Sequence, residues 1–175
     1  MTGAMLPAQR RRVVIALGSN VGDRMDTLQG AVGALFDGPG MQFLAVSPVY
    51  ETDPVGGPPQ PDYLNAVLIA ETALSARTVL ERAQNVEAAF QRTRETAWGP
   101  RTLDVDIITF GDEVSDDADL VLPHPRAHER AFVLAPWNDI DPGAEIPGRG
   151  RVADLLAKSG TAGVRRHDAE LQPPA

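Results

Sequence analysis

The sequence predicts an α+β fold: a ferredoxin-like β-α-β-β-α-β core, an antiparallel sheet with helices on one face, plus a C-terminal extension. Three observations predict it. Short β-branched runs alternate with stretches of helical periodicity. The second and third strand candidates follow one another with a loop and no helix between them. A length of 175 residues with 43% hydrophobic content suits one domain with a real core.

Residues 13–17, Val-Val-Ile-Ala-Leu, read as a buried strand ending in the turn Gly18-Ser19-Asn20. Asp23 can cap a helix over 24–36, with Leu28, Val32, Leu35 and Phe36 as its apolar stripe. Gly38-Pro39-Gly40 ends it. Residues 41–50 alternate as a second strand, and Pro48 marks an edge or the strand's end. The loop 51–62 is rich in Pro and Gly; loops of that length in a compact domain are usually functional or disordered. Residues 63–71 form a third strand. Ser75 caps a helix to about Gln91, whose buried stripe is Val79, Ala83, Val86 and Phe90. A polar, arginine-bearing stretch, 92–102, leads to a fourth strand at 103–110. Beyond it come an acidic stretch (112–119), a Pro/His/Arg-rich segment (123–130), an apolar run (131–135) and a short helix near 152–158. Residues 1–12 are expected to be a disordered leader, 13–158 the domain, and 159–175 a tail.

Composition excludes several chemistries. No cysteine is present, which removes disulfides, thiolate metal sites and a cysteine nucleophile, and fits a reducing, cytoplasmic compartment. Lys158 is the single lysine and follows Ala157, so a Gly-Lys-Ser/Thr phosphate loop is absent. The net charge of −8 disfavours nucleic acid and anionic membrane as partners unless positive charge is concentrated locally. No apolar run approaches the ~20 residues a spanning helix needs.

The sharpest local feature is Leu103-Asp104-Val105-Asp106-Ile107-Ile108. Alternation along a strand puts Asp104 and Asp106 on one face. Such a pair repels itself unless a cation sits between, and Mg²⁺ often uses one or two carboxylates plus substrate phosphates. A solvent-facing sheet edge is the plainer explanation of a bare Asp-x-Asp. Arg92, Arg94 and Arg101 just upstream, with Arg126 and Arg130 downstream, favour a joint phosphate site, because guanidinium groups grip phosphate through charge-assisted pairs. His124 and His128 do not make a zinc pair, since Pro123 and Pro125 argue against a helix that would align them. These residues leave open a metal-dependent phospho- or nucleotidyl-transferase of several kinds. An RNA-binding module on the same sheet would need aromatics within a basic face, which the chain lacks.

The motifs also resemble a known family. Arg92-x-Arg94 with Trp98-Gly99-Pro100-Arg101-Thr102-Leu103-Asp104-Val105-Asp106-Ile107 is the most specific piece. Ala16-Leu17-Gly18-Ser19-Asn20, Pro61-Asp62-Tyr63-Leu64-Asn65, Pro123-His124-Pro125 and Glu129-Arg130-Ala131-Phe132 support it in the right order. From about Val13 to Leu156 the chain resembles the 6-hydroxymethyl-7,8-dihydropterin pyrophosphokinase family. The resemblance implies a diphosphotransferase of folate biosynthesis: ATP gives its terminal diphosphate to the pterin's hydroxymethyl oxygen, leaving AMP. It implies two Mg²⁺ ions on Asp104 and Asp106, and charge stabilisation by Arg92 and Arg101. It places Gln84, Arg92, Arg94, Trp98, Arg101, Ile107, His124 and Arg130 against ATP. It places Gly18, Ser19, Asn20, Thr52, Asp53, Val55, Tyr63, Asn65, Trp98 and Phe132 on the pterin side, with the pterin stacked between Tyr63 and Phe132 and read by Asn65 and by backbone at Thr52, Asp53 and Val55. The loops 51–62 and 92–101 would be lids. A monomer acting on these small molecules alone is expected. Asp119 stands near a position where some members carry arginine.

Overall fold

The apolar run expected at 13–17 is the middle of a longer strand, β1 (Arg11–Ser19). The computed structural model describes residues 9–54, 59–91 and 103–175. β1 is longer than expected because antiparallel pairing with β4 (Tyr63–Thr72) continues from Arg11↔Thr72 to Ser19↔Leu64. Arg11 and Arg12, assigned to a disordered leader from sequence, are therefore strand residues.

Local signals place the first helices as read. α1 (Arg24–Leu35) starts where the Asp23 carboxylate accepts the Asp26 N–H at 3.1 Å. α2 (Ala76–Gln91) starts where Ser75 Oγ accepts the Thr78 N–H at 3.1 Å. The single strand expected over 41–50 is two, β2 (Met41–Val46) and β3 (Tyr50–Thr52), both antiparallel to β4. The break falls at Ser47-Pro48-Val49. Pro48 has no N–H to donate, and Ser47 Oγ takes the Val67 N–H at 2.9 Å as the chain crosses over.

β5 (Asp104–Phe110) pairs with β1, and the main sheet runs β10 (Val164–Arg166)-β3-β4-β1-β5, with β2 also on β4. The acidic stretch contributes a hairpin of its own, β6 (Ser115–Asp117) and β7 (Leu120–Leu122). Leu120 and Leu122 point its base into the core, while Arg77 of α2 holds Asp117 at 3.4 Å and Asp119 at 2.7 Å. A 3₁₀ turn (Ala127–Glu129) leads into α3 (Ala131–Ile140), the apolar run of the sequence reading. A two-residue ribbon, β8 (Glu145–Ile146) and β9 (Gly150–Arg151), precedes α4 (Val152–Ser159).

The C-terminal residues read as a tail are part of the domain. β10 (Val164–Arg166) pairs with β3, Leu171 is only 6% exposed in the core, and the Gln172 N–H donates to Gln29 Oε1 of α1 at 2.8 Å. The burial of Leu171 and the ladder on β3 are long-range gains that no local pattern announces.

The sheet has two faces with different cover. Val13, Ile15 and Leu17 of β1 share the first with Leu64, Ala66 and Leu68 of β4 and Val105 and Ile107 of β5; α1 and α2 close it. The second carries Val14, Val67, Ile69 and Ile108, packed against Val133, Leu134 and Trp137 of α3 and Val152 of α4. Only one end of this second face is covered by those helices.

Candidate active site

The register fixes what lies at the other end of the second face. Rows of side chains cross β4, β1 and β5. Ile69 lies opposite Val14, with Ile108 on the same face of β5. The next row is Val67, Ala16 and Asp106, and the last is Asn65, Gly18 and Asp104. The face thus passes from aliphatic, under α3 and α4, to polar where the helices end. β3 extends the polar end, setting Thr52 opposite Tyr63 and Tyr50 opposite Asn65. With neighbouring strands ~4.8 Å apart, Asn65 and Asp104 stand about 10 Å from one another.

Asn65 is buried, and its Nδ2 donates to Thr52 Oγ1 at 2.8 Å. Gly18 makes room for it: a Cβ at residue 18 would come within 2.9 Å of Asn65 Oδ1. Ser19, one residue on, alternates to the covered face, so its side chain is not brought to the open end. Asn20 is fully buried and holds the far end of the 53–62 connection, with Nδ2 donating to Gln60 Oε1 at 2.9 Å and to Pro61 O at 3.4 Å. The Asp53 N–H is already taken by Gly163 O at 3.0 Å, so of Asp53's backbone only the carbonyl is left to read a ligand. Val55, Arg92, Arg94, Trp98 and Arg101 lie outside the described residues, as does all of the expected 92–101 lid.

The segment after β7 runs beside β5, with the His124 N–H donating to Ile108 O at 2.8 Å. The His124 imidazole faces Asp106, Arg130 and Arg126. Burial pulls its pKa below the usual histidine value; Asp106 opposes that shift and the two arginines add to it. Nδ1 accepts the Arg126 N–H at 3.2 Å, which leaves the proton on Nε2. His124 is therefore a neutral donor beside the second aspartate. Arg130 stands at the residue before α3, without a side-chain bond to the helix end, and its guanidinium lies 5.5 Å from the centre of the Phe132 ring, itself packed against the second-face core. On the edge of β5 away from β1, Glu87 Oε2 of α2 accepts the Val105 N–H at 3.3 Å, and Ile107 lies between that bond and the one to His124. Gln84 is exposed on α2 one turn before Glu87.

The donor set suits a hard cation. Asp104 and Asp106 offer oxygen only, and among the described residues no group of three or more metal-ligating side chains forms. Two carboxylates that need further ligands from elsewhere match Mg²⁺ brought in with phosphate. Sequence reasoning missed the contacts of β10. Arg165 binds Glu51, Asp53 and Asp62, and it lines, with Glu51 and residues 166–169, a cavity of about 500 Å³.

Comparison with known proteins follows the same lines. Residues 14–142 match the family model described as 7,8-dihydro-6-hydroxymethylpterin-pyrophosphokinase. The 2-amino-4-hydroxy-6-hydroxymethyldihydropteridine pyrophosphokinase of Mycobacterium tuberculosis is 45% identical over 160 residues, covering 84% of this chain and 83% of that protein. The protein of that name from Pseudomonas aeruginosa is 38% identical over 156 residues, 89% of this chain and 96% of its own. The one from Bacillus subtilis is 46% identical over 126 residues, 72% and 75%. Among solved structures, Plasmodium falciparum HPPK-DHPS A437G with pteroate superposes with a TM-score of 0.70 at 13% identity, over 91% of this chain. This chain spans 47% of that one, so the likeness is one of fold to part of it.

Proposed function

Because the chain belongs to the 7,8-dihydro-6-hydroxymethylpterin-pyrophosphokinase family, we infer that the polar end of its second sheet face is where the family's reaction takes place. The protein is a transferase that moves the diphosphoryl group of ATP to the hydroxymethyl oxygen of 6-hydroxymethyl-7,8-dihydropterin in folate biosynthesis. The attacking oxygen bonds to the β-phosphorus, the bond from that phosphorus to the α–β bridging oxygen breaks, and AMP leaves while the hydroxyl loses its proton.

The observation that carries the site reading is the last two rows of the open face, where Asp106 and Asp104 share a surface with Asn65 across β1. Asp104 and Asp106 would hold two Mg²⁺ ions. Bound there, the metal neutralises phosphate charge and aligns the transferring group. His124, neutral with its Nε2–H free to donate, and Arg130 hold phosphate oxygens on the far side of Asp106. Arg92 and Arg101 stabilise the charge that develops in transfer, with Arg94, Trp98, Gln84 and the backbone at Ile107 seating the rest of ATP. The pterin lies at the other end, against Asn65, Thr52 and Tyr63, with Phe132 as its second aromatic face and Gly18, the Ser19 backbone, Asn20, Asp53 and Val55 around it. The 51–62 and 92–101 segments, the first of which begins within β3, would close over the pair and exclude water.

A monomer in the cytoplasm, with no nucleic acid or membrane partner, accords with the net charge of −8 and the lack of cysteine. Among the described residues no helix is long and apolar enough to cross a membrane. The test is an assay of AMP formed from ATP and the pterin, with and without Mg²⁺. AMP that requires both supports the reading, and ADP or free diphosphate as the product overturns it.

A further inference from the structure

The connection 53–62 joins β3 to β4; on the reading above, it carries Asp53 and Val55 and is flanked by Thr52 and Tyr63, all placed on the pterin side. Its two ends are held by one guanidinium that does not belong to either strand. Arg165 Nη1 is 2.8 Å from Asp53 Oδ1, at the start of the connection. Its Nη2 is 2.5 Å from Asp62 Oδ2, at the end, and 3.1 Å from Glu51 Oε1 on β3. β10 is brought there by pairing Arg165 with Glu51, and by the Asp53 N–H donating to Gly163 O. Gly163 is a residue that permits this approach: its φ is +75°, and a Cβ would lie 3.3 Å from Asp53 Oδ2. Further groups converge on the same roots. Arg24 Nη1 of α1 donates to Asp62 O at 2.9 Å and Nη2 lies 3.9 Å from Glu51, while His167 Nε2 lies 3.9 Å from Glu51 on the other flank.

The neighbouring residue ties down the opposite wall. Arg166 Nη2 is 3.1 Å from Asp139 of α3 and its guanidinium lies 5.9 Å above the Tyr50 ring, whose hydroxyl also bonds Asp139. α3 is the helix that begins with Phe132 in its first turn. One three-residue strand thus reaches both the connection and the helix on which the pterin end is built.

We propose that β10 is a positioning element for the pterin half of the site, with Arg165 as the residue that clasps the two ends of the 53–62 connection. The proposal rests on the placement of the pterin at Thr52, Asn65 and Tyr63. Isolated exposed ion pairs contribute little to stability, but one planar guanidinium shared by three carboxylates fixes geometry, and geometry is what a binding loop needs. Preorganised loops bind more tightly because less ordering is left to do.

The experiment compares wild type with Arg165→Ala and Arg165→Lys. Amide exchange of the ligand-free proteins reads the clasp directly. Binding of 6-hydroxymethyl-7,8-dihydropterin in the presence of a non-hydrolysable ATP analogue reads its consequence. In Arg165→Ala, amides at 51–54 and 59–63 are expected to exchange faster while α1 and α2 stay as in wild type. Pterin affinity should fall roughly tenfold, with affinity for the ATP analogue alone within about twofold, as expected for misplacing one wall only. Arg165→Lys, a point charge that cannot fork, should fall between. Raising salt should weaken pterin binding by wild type more than by Arg165→Ala, because the exposed clasp is screened. Unchanged exchange at both loop ends overturns the proposal, as does equal weakening of both ligands alongside a lowered melting temperature. Wild type that fails to bind the pterin would instead overturn the placement of the pterin, a result the exchange data do not share.

Discussion

The two faces of the sheet are made from the same strands, one residue out of step, and they end differently. On the first, every row from Val13 to Leu17 is apolar and α1 and α2 seal it along its length. On the second, the rows are apolar only beneath α3 and α4; one strand repeat further along, Val67–Ala16 gives way to Asn65–Gly18, and β5 presents Asp106 and Asp104. Burying a bare carboxylate pair under a helix would be costly, so the polar rows and the missing cover go together. The first face stores stability and the second gives some of it up for a place where phosphate and a heteroaromatic ring can lie. The sharpest break of this division is to neutralise one aspartate. Asp106→Asn or Asp104→Asn should lower turnover by roughly 10³-fold or more, about 4 kcal/mol of barrier, because charge stabilisation in transfer is lost. For Asp106→Asn the melting temperature should hold or rise, since it relieves repulsion between like charges on one strand face. Steady-state AMP formation with a melting curve on the same sample checks it; Mg²⁺-dependent turnover close to wild type would remove the aspartates from the chemistry.

The converse substitution is made on the sealed face. Leu28 of α1 is fully buried in that core. Leu28→Ala should cost about 3 kcal/mol, the transfer of the lost methyl groups plus the cavity they leave. At a temperature where the variant is still folded, turnover per folded molecule should stay within about twofold of wild type. Chemical denaturation supplies the first number and active-site titration the second. A large loss of turnover in folded protein would mean that the two faces are coupled, contrary to this division.

How much of this was legible in the sequence depends on the distance over which each feature is decided. The caps at Asp23 and Ser75 and the alternation of 103–108 act within a few residues, and the structure follows them. Alternation alone put Asp104 and Asp106 on a common face but could not say which; that is set by the pairing of Gly18 with Asp104 and Ala16 with Asp106, some 90 residues apart in the chain. Pro48 flagged the end of a strand, yet the resumption of pairing at Tyr50 needed β4 as template. β10 was invisible. Val164–Arg166 carries no strand signal of its own length, and the partners of Arg165 are Glu51, Asp53 and Asp62, more than 100 residues upstream. Of the pterin-side residues, Thr52 and Asn65 came from family pattern, and their mutual hydrogen bond explains why the pair sits together.

A smaller probe works at the boundary between the apolar and polar rows. Gly18 is extended strand, so alanine in its place would meet no backbone penalty, but the added methyl would press on Asn65 Oδ1 from 2.9 Å. Asn65 cannot swing freely while it donates to Thr52. Gly18→Ala should therefore raise the pterin KM roughly tenfold, leave the KM for ATP within about twofold, and change stability little. An unchanged pterin KM would show that Asn65 does not read the pterin from this rotamer.

The smallest expected effect lies on the outer shell of the sealed side, where Arg77 of α2 reaches Asp119 and Asp117 of the hairpin. Like the Arg165 clasp, this pair is well exposed, but it joins a helix to a hairpin and has no two ends of a binding connection to align. The Arg77 guanidinium still holds the Asp119 carboxyl below the usual value of 3.8, first through their hydrogen bond. The sign follows from proton counting. Near and below pH 3.8 the unfolded chain binds more protons at this carboxyl than the folded one does, so the pair's contribution is complete above that pH and is lost as pH falls through the lower folded value. Asp119→Asn should thus melt slightly below wild type at neutral pH and low salt, and the gap should close both in acid and in about 0.5 M salt, where the screening length drops to a few ångströms. Pterin binding should not change at all. If Asp119→Asn weakened the pterin as Arg165→Ala is expected to, the clasp would be no different from any surface ion pair, and the contrast between a face that stores stability and a face that positions ligands would lose its clearest marker.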